Sequence, residues 1–200
     1  MKQLLTTLVL VFVVLAAQAG YKVGDEARDF ALKNVDGTSV SLSKFAGETK
    51  GAIVIFTCNH CPFSVAYEDR ILALDKKYAA LGYPVIAINP NDAKIQPGDS
   101  YENMIERAKE KNFTFPYLHD ETQEIATAFG AARTPHVYVL EREKDKFIVR
   151  YIGAIDNNSD EPGAVTSKFV EEAVDALVAG KPVTTAETKA IGCTIKWTQK

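Results

Sequence analysis

Ile53-Val54-Ile55-Phe56-Thr57-Cys58-Asn59-His60-Cys61-Pro62 decides how this chain is read. Its first half is an apolar, β-branched run, the pattern of a buried strand. The run leads straight into two cysteines separated by two residues. Pro62 suits the first position of a helix, where its missing N–H costs nothing. Beyond it, Tyr67, Ile71, Leu74, Tyr78 and Leu81 recur at helical spacing and predict one apolar face. The dithiol therefore stands where a strand ends and a helix begins. Unpaired N–H groups and the positive end of the helix dipole gather there, and both favour thiolate over thiol.

A Cys-x-x-Cys pair has three ordinary uses. Structural zinc asks for four ligands, usually with a second Cys/His pair at similar spacing. Here Cys193, His119 and His136 each stand alone. An inert disulfide closing so short a loop adds little stability. A redox dithiol is the favoured reading, with Cys58 and Cys61 catalytic and forming the redox-active disulfide. No metal or cofactor is called for.

The flanking sequence sets the context. Two hundred residues suit one α/β domain. The net charge of −3 is mild and no Lys/Arg-rich run occurs, so nucleic acid and anionic membrane surfaces are poor partners. Met1-Lys2, the apolar stretch Leu4 to Ala16, and Ala17-Gln18-Ala19 have the form of a secretory signal peptide over residues 1–19. The apolar stretch is short for a membrane span. The mature domain is expected over 20–200, exported to the periplasm or secreted, with no stable membrane insertion after cleavage. Export puts the dithiol in an oxidising compartment, where an odd third cysteine, Cys193, is conspicuous.

Along the mature chain, Asp29 to Leu32 and Thr38 to Leu42 flank Asp36-Gly37 as an N-terminal β-hairpin. Ser43 to Ala46 is expected as a helical turn, Pro84 to Asn89 as a second buried strand, and Phe113 to Leu118 as a short one. Asp99 with Glu102 reads as the capping box of a helix running to about Lys111. Asp120 with Gln123 caps another helix, which ends at Phe129-Gly130. Thr134 to Leu140 and Phe147 to Ile152 make antiparallel strands across a charged turn. Val165, Phe169, Ala173, Val174 and Leu177 predict a last amphipathic helix, and an irregular tail starts at about Lys181. The order β-hairpin, β-α-β-α-β-α-β-β-α gives an α/β fold, a mixed central sheet with helices on both faces.

Phe56-Thr57-Cys58-Asn59-His60-Cys61-Pro62, Arg133-Thr134-Pro135 before a strand, and the hairpin–helix ending together resemble the thioredoxin-like superfamily, in its peroxiredoxin-like (AhpC/TSA, redoxin) branch. The resemblance covers about Gly24 to Gly180. It implies a cis Pro135 beside the dithiol and a thiol–disulfide oxidoreductase, with antioxidant peroxidase activity as a possible minor function. Peroxiredoxins carry a threonine and a proline where this chain has Cys58 and Val54, so the implied peroxidase activity is weak. Thioredoxins carry a buried acid on the strand before the dithiol, and Gly51 to Thr57 holds none.

Exchange needs an attacking thiolate and a second thiol to resolve the mixed disulfide. A helix starting at Pro62 leaves Cys58, Asn59 and His60 in an exposed approach loop, which favours Cys58 as attacker and Cys61 as resolver. The peroxiredoxin register gives the reverse. His60 as an imidazolium and Arg133 before Pro135 would stabilise a thiolate, while Asn59, Pro62, Thr134 and Pro135 shape the site. His136 is expected to point away by strand alternation. Cys193 becomes an extra resolving thiol if the tail folds back over the site. Partners would be protein thiols or disulfides, or a membrane or exported redox protein. A copper-binding chaperone of the same fold is the rival reading, since two thiolates and a histidine suit copper.

Overall fold

The computed structural model describes residues 20–199, so the expected leader, residues 1–19, lies outside the described residues. The elements are β1 Glu26–Ala27, β2 Ala31–Asn34, β3 Ser39–Ser41, β4 Gly51–Phe56, α1 Pro62–Tyr78, β5 Val85–Asn89, α2 Tyr101–Lys111, β6 Tyr117–His119, α3 Glu124–Phe129, β7 Arg133–Thr134, β8 His136–Glu143, β9 Lys146–Gly153, α4 Phe169–Val178 and β10 Cys193–Thr194. Eight strands form one sheet in the order β1-β9-β8-β4-β5-β6-β2-β3. β4 is central, parallel to β5 and antiparallel to β8. It is buried along its whole length, which is why its sequence is a continuous apolar run.

Alternation along β4 divides the core. Ile53 and Ile55 face a layer built from Tyr67, Ile71, Leu74 and Tyr78 of α1, Met104 of α2, and Val170, Ala173, Val174 and Leu177 of α4. Val54 and Phe56 face the opposite layer, with Ile125, Ala126 and Phe129 of α3 and the N-terminal residues Phe30, Val40 and Leu42. Full burial of each Val, Leu, Ile, Phe or Met among them contributes about 1.5–3 kcal/mol. The result is the mixed, two-faced thioredoxin-like sheet that the resemblance implies. The N-terminal hairpin is present as β2 and β3, and β2 also pairs with β6.

Several local expectations are corrected. Leu81 leaves the apolar face: α1 stops at Tyr78, a 3-10 turn follows, and Leu81 is 41% exposed. Val165 lies outside α4, because Pro162 and Gly163 form a separate 3-10 turn before it. Asp99 is not the cap of α2; Ser100 is, accepting from the N–H of Asn103. Asp120 does accept from the N–H groups of Ile125 and Ala126 in the first turn of α3. Gly130 ends that helix at φ 73, a left-handed conformation in which an L side chain is strained. The tail is irregular except for a bridge from Glu187 to Ile152 and for β10, which pairs antiparallel with β7 and sets Cys193 opposite Thr134.

Candidate functional site

β4 carries Cys58 off its C-terminal end, and Cys61 is the N-cap residue of α1 with Pro62 in the first turn. Cys61 has φ −65 and ψ 124, the extended backbone that a following proline enforces. The Thr134–Pro135 peptide bond is cis, as expected. Thr134 gathers the sulfurs. Its Oγ1 lies 3.2 Å from Cys58 Sγ, and its carbonyl oxygen lies 3.3 Å from Cys61 Sγ. Cys58, Cys61, Thr134 and the cis proline are thus brought to one point.

The disulfide, however, joins Cys61 to Cys193, with Cα atoms 6.1 Å apart, and Cys58 is the free cysteine. The expected Cys58–Cys61 bond is not the one this structure holds. The physical reason is the tail. Strand β10 lays Cys193 against Thr134, and Cys61 meets it there. The backbone N–H of Ile195 donates to Ala132 O, and Ile195 is buried in the layer that holds Phe129 and Tyr138. Gly192 crosses so close to the backbone of Thr134 that a Cβ would collide with its carbonyl. Arg133 does not face a sulfur: its Nη1 donates to Gly192 O at 2.8 Å and fixes the tail.

Cys58 is also not the exposed loop thiol that the helix start suggested. It is 3% exposed, and Cys61 is fully buried under the tail. Burial pushes the Cys58 thiol up, and the nearby negative charge of Asp99 adds to the effect, so the neutral thiol is favoured. Ser64 Oγ, 3.7 Å away on α1, is its remaining polar neighbour together with His60.

Asp99 is the residue that sequence reasoning missed. It is fully buried, and its carboxylate accepts from the backbone N–H groups of Asn59 and His60 at 2.8 and 3.2 Å. It also accepts from Asn91 Nδ2 at 2.7 Å, and from His60 Nδ1 at 2.5 Å. A carboxylate accepting there requires the proton on Nδ1. The buried acid absent from β4 is therefore supplied by the turn before α2. Asn59 is held at both ends, donating to Gly98 O and accepting from Tyr117 OH. Asn91 connects the site to the tail, because its Oδ1 accepts from the N–H of Lys196. The only local signal was Asn89-Pro90-Asn91-Asp92, a polar run directly off a buried strand. Pro62 is exposed at the helix start. His136 lies outside this cluster, stacked obliquely beside Tyr138 and accepting at Nδ1 from the N–H of Ala132.

Cys58, His60 and Asp99 offer one metal-ligand atom each, all within 4.8 Å of one another. Such a set suits a soft or borderline ion. The Asp99 oxygens are already used by four N–H donors, and Cys61 takes no part in the set.

A sequence profile described as the AhpC/TSA family matches residues 23–157. The thiol-disulfide oxidoreductase ResA of Geobacillus thermodenitrificans is 24% identical over 60% of this chain, and the match spans 64% of that relative, just under two thirds. Two solved structures share nearly the whole fold. An uncharacterized conserved protein from Geobacillus kaustophilus is 39% identical with TM-score 0.80, over 90% of this chain and 94% of its own. A hypothetical protein from Sinorhizobium meliloti 1021 is 34% identical with TM-score 0.81, over 90% of this chain and 97% of its own.

Proposed function

This chain belongs to the AhpC/TSA family, and from that premise we propose that it is an exported thiol–disulfide oxidoreductase acting on protein cysteines. One observation carries the reading: two cysteine sulfurs meet at Thr134 beside a cis proline, and one of them is already in a disulfide. The relatives named as thiol-disulfide oxidoreductases support the same chemistry. The N-terminal leader supports a place outside the cytoplasm, and no described helix is long and apolar enough to cross a membrane.

Cys61 is the sulfur that meets the partner. As N-cap residue it stands at the free N–H groups and the positive end of α1, which stabilise a thiolate. Cys58, held neutral beside Asp99, is the thiol with which Cys61 closes the dithiol pair. This is the register opposite to the one favoured by loop exposure. Weak peroxidase activity would use the same Cys61 thiolate.

The test is reduction of insulin disulfides by the mature protein with serine variants. Cys61→Ser is expected to abolish turnover. Cys58→Ser combined with Cys193→Ser is expected to accumulate mixed disulfides through Cys61. Full turnover by Cys61→Ser would refute the assignment. Copper is the second reading, favoured by the Cys58, His60 and Asp99 donors. Stoichiometric copper on the purified protein, with no insulin reduction, would favour it instead.

A further inference from the structure

The tail is built into the site rather than laid across it. Gln123 Nε2 donates to Lys196 O at 2.8 Å, and Gln123 Oε1 accepts from the N–H of Thr198 at 2.8 Å. The N–H of Asp92 also donates to Lys196 O, at 3.0 Å. Arg133 holds Gly192, and Ile195 is buried. These anchors lie on both sides of Cys193, so its sulfur is aimed at Cys61 by backbone contacts and not by the disulfide alone. Cys193 is half-buried, on the solvent side of the bond, whereas Cys61 and Cys58 lie beneath it. Cys61 thus has a potential sulfur partner on each side. Cys193 reaches it from the tail. Cys58, three residues earlier in the chain, touches the same threonine at its hydroxyl.

We propose that Cys193 is a third exchanging sulfur, which resolves the Cys61–partner disulfide first and is then itself displaced from Cys61 by Cys58. This rests on the thiol–disulfide reading above and deepens it. The steps balance without an outside reagent beyond the partner disulfide. Cys61 thiolate attacks that disulfide; the partner S–S bond breaks, a Cys61–partner bond forms, and one partner sulfur leaves as thiolate. Cys193 thiolate attacks Cys61 Sγ, forming the Cys61–Cys193 bond and releasing the second partner sulfur. Two electrons have then passed to the partner. Cys58 next attacks Cys61 Sγ; the Cys61–Cys193 bond breaks, the Cys58–Cys61 bond forms, and the proton lost by Cys58 ends on the departing Cys193 thiolate. This last step moves no net electrons.

The experiment uses the oxidised mature protein, freed of small thiols and held at pH 8. Samples are pulsed with N-ethylmaleimide, quenched in acid and mapped by peptide mass spectrometry without reduction. Label on Cys193 and a Cys58–Cys61 linked peptide are expected to appear together in the wild type. In Cys58→Ser, and in Cys58→Ala as a second packing control, Cys193 labelling should be at least roughly tenfold slower, because the displacing thiolate is gone. In Cys193→Ser the disulfide should be Cys58–Cys61 from the outset. Label confined to Cys58 in the wild type, with only the Cys61–Cys193 peptide found, would overturn the relay. Insulin reduction separates the two levels: a failed relay leaves the dependence on Cys61 intact, whereas turnover by Cys61→Ser removes the exchange reading itself.

Discussion

At the scale of single residues, one half-buried and one buried polar group have measurable consequences. His136 is pushed down to about 4, chiefly by burial and secondarily by Arg133. Its Nδ1 accepts a backbone N–H, a bond that requires this nitrogen unprotonated. In the unfolded chain it titrates near 6.5. As pH falls through that value the unfolded state takes up a proton that the folded state refuses until about 4. Stability is therefore full above about pH 6.5 and drains between there and about 4, by at most about 3 kcal/mol. Urea unfolding should show the wild type losing about 2 kcal/mol more than His136→Gln between pH 7 and pH 5. An equal loss in both proteins would remove His136 as the cause. Asp99→Asn takes away the charge that helps hold the Cys58 thiol up. While Cys61 and Cys193 are joined Cys58 is the free thiol, so its thiolate absorbance should titrate at lower pH in the variant. Asp99, His60 and Tyr117 are the titratable groups around it, and an unmoved curve would show that burial alone sets it. Asp99 was illegible in the sequence because its partners, Asn59 and His60, lie 40 and 39 residues away. A short-range capping pattern with Glu102 masked it.

At the scale of elements, the legible parts were those with long, consistent patterning. Strand β4 is uniformly apolar, and α1 opens on a proline and presents Tyr67, Ile71, Leu74 and Tyr78 to the core. β1, β7 and β10 each have two residues, too few for any periodicity, and only their pairing defines them. That is why the tail read as irregular although it completes the site. Gly192→Ala should undock it, since the new Cβ would strike the Thr134 carbonyl. Limited proteolysis near residue 190 should become faster in the variant; unchanged protection would mean the crossing can adjust. α1 and α2 are tied by a buried pair: Glu68, 5% exposed at its side chain, accepts from Arg107 Nε and Nη2 at 2.6 and 2.9 Å. Arg107→Ala should destabilise by about 3 kcal/mol, because the carboxylate keeps only Lys111 at 3.4 Å. Urea midpoints check it, and a loss under about 1 kcal/mol would show that Lys111 or water compensates.

At the scale of the whole molecule, the sheet and its two faces were readable from alternating strand and helix signals, but the disulfide was not. Proximity in sequence favoured Cys58 with Cys61. Folding instead brought Cys193 to Cys61 across 132 residues. Closing so long a loop restricts the unfolded chain, and the chain-entropy estimate is about 5 kcal/mol. Reduction should lower the unfolding free energy by an amount approaching that, and Cys193→Ser should show little response of this size. The proposed exchange depends on a dithiol that opens and closes. An equilibrium titration of the mature protein in glutathione buffers from about −330 to about −120 mV, with acid quenching and thiol alkylation, tests this most directly. A single two-electron step is predicted, from three alkylated cysteines on the reduced side to one on the oxidised side, and the step should vanish in Cys61→Ser. A constant thiol count across the range, or a step that survives Cys61→Ser, would contradict it.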